Sequence, residues 1–185
     1  MKLVILDRDG VINQDSDAYI KSADEWLPIP GSIDAIARLC AAGYSVVVAT
    51  NQSGLGRGLF DLDDLEAIHD KMREVVEAAG GHIAGIYYCP HLPTAGCTCR
   101  KPAPGLLDAI AEDFSTSLTG VVFIGDSLKD LQAGAQRQCR PILLRTGKGA
   151  GYEGLLPGEV NEQVRHAQVY NDLASAVDSL LNERN

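Results

Sequence analysis

Four consecutive apolar residues, 3–6, stand directly before the sequence Asp7-Arg8-Asp9-Gly10. An apolar run of this length between polar residues predicts a short strand that is buried on both faces, as in a parallel sheet. The two carboxylates then lie at the carboxyl end of that strand, where open α/β folds carry their chemistry. A hard cation such as Mg²⁺ would offset the repulsion between them. From these residues alone, a solvated acidic turn explains the pair equally well.

Patterns typical of strands and helices alternate along the rest of the chain. Buried strands are predicted at 45–49, 83–88, 121–125 and 142–144, and helices at 32–42, 61–79, from about 105 to 114, after Asp126, and at 173–181. Segment 146–168 is rich in glycine and is predicted to be irregular. This alternation predicts an α/β fold, a doubly wound (Rossmann-like) parallel sheet with helices on both faces. No insertion is long enough for a separate cap domain, so we expect one domain over residues 1–185.

Composition limits the partners and the compartment. The formal net charge is −9 and the isoelectric point is about 4.8. We therefore expect no nucleic-acid partner, because phosphate backbones recruit basic faces. No apolar run reaches the length of a membrane span, and the first strand begins near the start of the sequence, so we expect no leader. From these features we expect a cytoplasmic protein that has no membrane partner. We also expect the protein to be a monomer.

Polar side chains suited to phosphate chemistry follow four of the predicted strands: Asp7 and Asp9, Thr50 and Asn51, Lys101, and Asp126 and Asp130. Because parallel strands end at one edge of a sheet, these side chains can converge there. Together they supply a carboxylate nucleophile, a second carboxylate for proton transfer, a hydroxyl and an amide for phosphate oxygens, a lysine, and an acid for a metal. Asp130 fits two interpretations, support of the site or a charge at a helix start, and is left out of the metal ligands.

Four short motifs resemble those of the haloacid dehalogenase-like phosphatases: Asp-Arg-Asp-Gly-Val at 7–11, Ala-Thr-Asn-Gln at 49–52, Arg-Lys-Pro at 100–102 and Gly-Asp-Ser-x-x-Asp at 125–130. The resemblance implies that Asp7 attacks phosphorus and forms an aspartyl-phosphate, and that Asp9 serves first as acid and then as base. It also implies that Thr50 and Lys101 stabilise the phosphoryl group. Mg²⁺ would be held by the Asp7 side chain, the Asp9 carbonyl and Asp126.

A second group of metal-binding residues follows the third predicted strand. Within eleven residues the chain carries the ligand set of a Cys₃His zinc site: Cys89, His91, Cys97 and Cys99. A group of ordinary buried cysteines is the alternative. Four protein ligands leave no open position, so the zinc would be structural. It would fix a loop at about 89–101 and place the two cations after Cys99 over the active site.

The cysteine-rich loop narrows the resemblance to two phosphatase families, the D-glycero-D-manno-heptose 1,7-bisphosphate 7-phosphatases and the histidinol-phosphatases. Segments 51–58, 86–91 and 145–148 are more similar to the first family, whereas the short spacing between His91 and Cys97 is typical of the second. The heptose family implies release of the C7 phosphate, during synthesis of the ADP- or GDP-heptose precursor of the lipopolysaccharide core. A non-catalytic, zinc-stabilised binding module is the alternative of another class.

Substrate contacts are expected from loops, because the chain lacks a cap domain. The residues predicted for this task are Asn51, Gln52, Ser53, Arg57, Arg100 and Lys101. Arg100 and Arg57 are the cations left for a second phosphate, since their forked donors bind two oxygens at once. His69 is expected to be solvated beside the acidic residues of its helix. For Trp26 and the segment 19–30, contact with substrate and packing of an irregular loop on the domain are both left open.

Overall fold

A computed structural model describes residues 2–183 of the chain. Its strands are β1 (Lys2–Leu6), β2 (Tyr44–Asn51), β3 (Ile83–Cys89), β4 (Val122–Gly125), β5 (Arg140–Leu144) and β6 (Gln168–Tyr170). Its helices are α1 (Ser32–Ala41), α2 (Ser53–Gly56), α3 (Leu62–Ala78), α4 (Gly105–Asp113), α5 (Leu128–Ala135), α6 (Gly149–Glu153), α7 (Glu162–Arg165) and α8 (Leu173–Asn182), with 3₁₀ turns at Ala23–Glu25 and Leu156–Gly158. All strand pairs are parallel, in the order β3-β2-β1-β4-β5-β6. The predicted doubly wound fold is confirmed.

Side chains of β1 alternate between two apolar cores, one on each face of the sheet. Val4 and Leu6 pack in a core with residues of α1, α3 and α8. Leu3 and Ile5 pack in a second core with residues of α4 and α5. Both faces of the central strand are therefore buried, as the uninterrupted apolar run predicts.

Helix α3 begins at a capping box. The Asp61 side chain accepts a hydrogen bond from the Asp64 amide (2.9 Å), and the Asp64 side chain accepts one from the Asp61 amide (3.1 Å). Apolar residues at helical spacing, from Leu65 to Val76, then bury one face of the helix against the sheet. This packing holds α3 against α1 and β3.

Segment 146–168 contains regular elements, so the prediction that it is irregular was wrong in part. It holds α6 and α7, and β6 begins at its last residue. Strand β6 has three residues, which are too few to show an alternating pattern. It is held in the sheet by parallel pairing with β5, in which Leu143 lies opposite Val169. Leu156 and Val164 pack with Leu143 in a third apolar cluster, which holds the segment against the sheet edge.

Trp26 is fully buried in the core that contains α1 and α3. Of its two interpretations, packing of the loop on the domain is therefore the one that the structure supports.

Among residues 2–183, no helix combines the length and the apolar character that crossing a bilayer requires.

Candidate active site

The end of β1 brings Asp7 to the edge of the sheet beside β4. The Asp7 amide donates to the Ile124 carbonyl (2.9 Å), which continues the pairing of the two strands. The chain then turns at Gly10, with φ of 79°. A Cβ atom on Gly10 would lie 2.1 Å from Oδ2 of Asp126, so glycine is required where the loops after β1 and β4 meet. Asp7 and Asp126 are thereby brought together from neighbouring strands.

Lys101 is buried between two carboxylates at this edge. Its ammonium group lies 3.0 Å from Asp7 Oδ1 and 2.6 Å from Asp130 Oδ1, and it donates to the Ala49 carbonyl (2.8 Å). Burial lowers the pKa of Lys101, but the charges of Asp130 and Asp7 outweigh burial and raise that pKa above its ordinary value. Lys101 therefore keeps its positive charge in the site, although only 2% of it is exposed.

Asn51 holds the backbone of this lysine. Its Nδ2 donates to the Lys101 carbonyl (3.1 Å), and its Oδ1 accepts from the Lys101 amide (3.0 Å). Both polar atoms of the Asn51 side chain are therefore engaged by the chain itself. The sequence-based hypothesis assigned Asn51 to phosphate. In the structure it lines the cleft and positions Lys101.

Three carboxylates, Asp7, Asp126 and Asp130, offer oxygens that all lie within 4.8 Å of one another. Burial, followed by the charge of Asp130, raises the pKa of Asp7 to about 7. Burial, followed by the charge of Asp7, raises the pKa of Asp126 to about 8. Negative charge is costly in this cluster, and a bound hard cation would remove that cost.

Asp130 has other partners within this cluster. Its Oδ1 faces Lys101, and its Oδ2 accepts from the amide (3.1 Å) and the hydroxyl (2.7 Å) of Ser127 in a capping box at the start of α5. Both interpretations of Asp130 therefore hold, since it supports Lys101 and begins a helix. Within residues 2–183, Oδ2 of Asp7 and Oδ1 of Asp126 have no hydrogen-bond partner, which leaves two oxygens for a cation.

Asp9 is held by three neighbours. Arg8 donates to both carboxylate oxygens, Asn13 Nδ2 donates to Oδ1 (2.8 Å), and Gln52 Nε2 donates to Oδ2 (2.8 Å). Burial raises the pKa of Asp9, but the charge of Arg8 and the hydrogen bonds outweigh burial and hold that pKa below its ordinary value. The free protein therefore carries Asp9 as a carboxylate.

His69 is buried, so the expectation of a solvated histidine was wrong. It is 4% exposed, and its Nε2 lies 3.3 Å from Nη1 of Arg8. Burial, followed by the Arg8 charge, lowers the pKa of His69 to about 3, so the ring is neutral. The acidic neighbours that suggested solvation, Glu66 and Asp70, lie on the exposed face of α3.

One cleft of about 290 Å³ at the carboxyl ends of the strands collects these residues. Its lining includes every residue predicted for catalysis, Mg²⁺ or substrate except Arg57. Sequence reasoning missed Lys129 and Lys148, which line the same cleft. Tyr19 also lines it and belongs to the segment for which substrate contact was left open. Lys148 had a signal in the sequence, because it belongs to the segment 145–148 that resembles the heptose enzymes.

Arg57 is predicted to contact substrate, and in the structure it lies outside the lining of the cleft. Its side chain is exposed, and its guanidinium carbon lies 6.0 Å from the centre of the Tyr19 ring. Tyr19 itself lines the cleft. This cation–π contact with Tyr19 accounts for the direction that the Arg57 side chain takes.

The four predicted zinc ligands form one cluster at the end of β3. The sulfur of Cys89 lies 3.2 Å from that of Cys99 and 3.7 Å from that of Cys97, and His91 Nδ1 lies 3.2 Å from the sulfur of Cys99. Separations of this size suit four ligands around one tetrahedral ion with Zn–S bonds of about 2.3 Å. The cluster is therefore compatible with zinc.

The parallel sheet delivers two carboxylates, a threonine, a lysine and a further acid to one edge, which are the groups that phosphoryl transfer through an aspartate nucleophile requires. Residues 2–136 match the family described as haloacid dehalogenase-like hydrolase. Residues 98–176 match a second family, which is described as HAD-hydrolase-like. The chain belongs to the haloacid dehalogenase-like hydrolase family.

Its similarity to particular members extends over nearly the full length. A protein of Bordetella bronchiseptica named D-glycero-beta-D-manno-heptose-1,7-bisphosphate 7-phosphatase is 54% identical over 99% of each chain. A protein of Pseudomonas aeruginosa with the same name is 52% identical over 97% of each chain. The crystal structure of the D,D-heptose 1,7-bisphosphate phosphatase from B. bronchiseptica, complexed with magnesium and phosphate, is 53% identical over 99% of each chain, with a TM-score of 0.92.

Proposed function

We propose that the chain is a Mg²⁺-dependent phosphatase that removes the C7 phosphate of D-glycero-D-manno-heptose 1,7-bisphosphate, in the synthesis of ADP- or GDP-heptose for the lipopolysaccharide core. The observation that carries this choice of substrate is the identity of 52–54%, over 97–99% of the chain, to proteins named for this reaction. Those names specify the β anomer of the heptose, and we propose the same anomer here.

The first half of the reaction transfers the phosphoryl group to Asp7. A carboxylate oxygen of Asp7 forms a bond to phosphorus while the bond to the C7 oxygen breaks. The leaving oxygen keeps the electron pair and takes a proton from Asp9. An approaching phosphate dianion brings the like charge that raises the pKa of Asp9, so that this group can carry the proton. Lys101 and Thr50 offset the charge of the group in transfer.

The second half of the reaction hydrolyses the aspartyl-phosphate. Asp9, now a carboxylate, takes a proton from a water molecule whose oxygen attacks phosphorus. The bond between phosphorus and the Asp7 oxygen breaks, and phosphate leaves. Gln52 supports this step, since its Nε2 donates to both Asp9 Oδ2 (2.8 Å) and Thr50 Oγ1 (3.0 Å). We assign Ser53 to the phosphate oxygens, since it lines the cleft beside Gln52.

The oxygens around Asp7 fit a hard divalent cation. We assign Mg²⁺ to the Asp7 side chain, the Asp9 carbonyl and Asp126, where it supplies charge neutralisation and polarises a phosphate oxygen when bound. We expect a chelator to stop phosphate release and added Mg²⁺ to restore it. Undiminished turnover in excess chelator, with metal removal verified by elemental analysis, would contradict the assignment.

We assign a structural Zn²⁺ to Cys89, His91, Cys97 and Cys99. Metal analysis of protein purified without chelator and with reduced thiols is expected to give about one zinc per chain, as a closed site with three thiolates requires. Cys97→Ser should lower the zinc content and the melting temperature. Cys40→Ser, outside the cluster, is the matched control. Absence of zinc from the unmodified protein would refute the assignment.

Binding the second phosphate of a bisphosphate requires cations at a distance from the phosphate that is cleaved. Arg100 and Lys129 line the cleft, and both also line the groove beside the zinc-ligand loop. Among residues 2–183, Lys129 has neither an ion pair nor a hydrogen bond through its side chain, and Arg100 has one long contact, 3.4 Å to the His91 carbonyl. In a chain of net charge −9, two uncommitted cations at one end of the cleft support a phosphate-binding role.

Arg100→Ala is expected to lower kcat/KM for the bisphosphate by a factor that corresponds to about 2–3 kcal/mol, as for loss of a charge-assisted pair. Hydrolysis of a small monophosphate should change far less. Arg73→Ala removes an exposed guanidinium on α3, outside the cleft lining, and is the matched control. Equal losses on both substrates would assign Arg100 to the reacting phosphate or to the loop fold.

We also propose that the enzyme is a single-domain cytoplasmic monomer that needs no nucleic-acid or membrane partner. The acidic net charge of −9 supports the part of this proposal that concerns nucleic acid, because phosphate backbones recruit basic faces. Sedimentation of the purified protein tests the oligomeric state, and a single species of dimer mass would contradict it.

Phosphate release from a substrate panel tests the proposed reaction. The panel contains both anomers of the heptose bisphosphate, histidinol phosphate and fructose bisphosphate. We expect the β-heptose bisphosphate to give the highest kcat/KM. Preference for histidinol phosphate would move the enzyme to the other zinc-containing family, and failure on every phosphate ester would favour a non-catalytic binding module.

A further inference from the structure

Arg8 stands between the two catalytic carboxylates in sequence, and its side chain is fully buried. Its Nη2 donates to both oxygens of Asp9 (3.0 and 3.1 Å), and its Nε donates to Oδ1 (3.2 Å). Asp9 lines the cleft, with 23% of its side chain exposed. The guanidinium therefore binds Asp9 from the buried side through several hydrogen bonds, which fix the plane of the carboxylate.

The remaining nitrogen of that guanidinium meets His69. Nε2 of His69 lies 3.3 Å from Nη1 of Arg8. Since the ring is neutral, Nε2 can accept this hydrogen bond when the proton is on Nδ1. The His69 ring is itself packed against Tyr88, with 5.9 Å between ring centres and an angle of 53°. Packing of α3 on β3 thus holds the His69 ring in place. His69 in turn orients the Arg8 guanidinium, and that guanidinium orients the carboxylate of Asp9.

We propose that His69 is a positioning residue, which acts through Arg8 to aim the Asp9 carboxyl at the leaving oxygen. The inference rests on the proposed function, because it takes Asp9 as the proton donor. Proton transfer requires a hydrogen bond with suitable direction, so a carboxyl that is free to turn donates less effectively. His69 touches neither substrate nor metal in this account.

Leaving-group dependence separates positioning from a general structural role. A basic leaving oxygen needs the proton from Asp9 as its bond to phosphorus breaks, whereas nitrophenolate leaves without one. The ratio kcat/KM includes this transfer to Asp7 and excludes the later hydrolysis of the aspartyl-phosphate. A variant that misaims Asp9 should therefore lose kcat/KM with phenyl phosphate and keep it with 4-nitrophenyl phosphate.

The experiment compares His69→Met, which removes the acceptor, with His69→Gln, which retains an acceptor oxygen at similar reach. For His69→Met we expect kcat/KM with phenyl phosphate to fall about tenfold, which is part of the full effect of a general acid. With 4-nitrophenyl phosphate, kcat/KM should stay within about twofold of the wild-type value. His69→Gln should restore most of the loss. Equal losses on both esters, or no loss on either, would overturn the proposal.

If His69→Met fails to fold, His69→Asn replaces it, since asparagine is polar but too short to reach Arg8. The same two outcomes then decide the proposal. Neither ester contains a sugar. A wild-type protein that hydrolyses them but rejects heptose bisphosphate would therefore refute the substrate proposal and leave the role of His69 to be decided by the leaving-group ratio.

Discussion

Asp7→Asn is expected to abolish turnover, with kcat lower by at least about 10³-fold, because an amide cannot form the aspartyl-phosphate. The change is nearly isosteric and removes a charge from a crowded cluster, in which burial and Asp130 raise the pKa of Asp7 to about 7. The melting temperature of the metal-free variant should therefore stay unchanged or rise. Phosphate release and thermal unfolding measure the two effects.

The control for Asp7→Asn is mass spectrometry of the assayed protein, since deamidation would regenerate the nucleophile. Asp9→Asn is a useful companion, because it should slow both halves of the reaction without preventing attack by Asp7. Turnover near the wild-type level in Asp7→Asn, with deamidation excluded, would contradict the covalent mechanism.

Lys101→Met is expected to lower kcat/KM by at least about 10²-fold, through loss of a charge that stabilises the phosphoryl group. It should also destabilise the protein by about 3–5 kcal/mol, since removing one partner from a buried ion pair leaves the other charge uncompensated. Lys101 is 2% exposed and pairs with Asp7 and Asp130. Enzyme kinetics and chemical denaturation measure the two losses.

A double variant separates the two roles of Lys101. Adding Asp130→Asn to Lys101→Met removes one uncompensated carboxylate and should recover part of the stability, while activity stays low. Recovery of activity together with stability would show that Lys101 serves the fold and not the phosphoryl group.

The parts of the site that could be predicted are those whose chemistry depends on residue type and strand position. Asp7, Asp9 and Asp126 follow apolar runs, and the carboxyl ends of parallel strands share one edge. The clustering of Cys89, His91, Cys97 and Cys99 could be predicted because cysteine and histidine at this spacing have few other uses.

The parts that escaped prediction depend on tertiary contacts. The hydrogen bonds from Asn51 to the backbone of Lys101 join residues that are distant in sequence, so residue type alone does not indicate them. His69 has acidic neighbours along the chain, yet the rotation of α3 turns it toward buried Arg8. β6 is ordered by pairing with β5, and three residues carry no pattern of their own.

The position of the phosphate that leaves is the most direct test of the proposed reaction. Phosphorus NMR of the β-heptose 1,7-bisphosphate during turnover with Mg²⁺ distinguishes the anomeric phosphate from the phosphate at C7. We predict that the C7 signal is replaced by inorganic phosphate while the anomeric signal persists, so that heptose 1-phosphate accumulates. Loss of the anomeric phosphate first, or no change in either signal, would contradict the account.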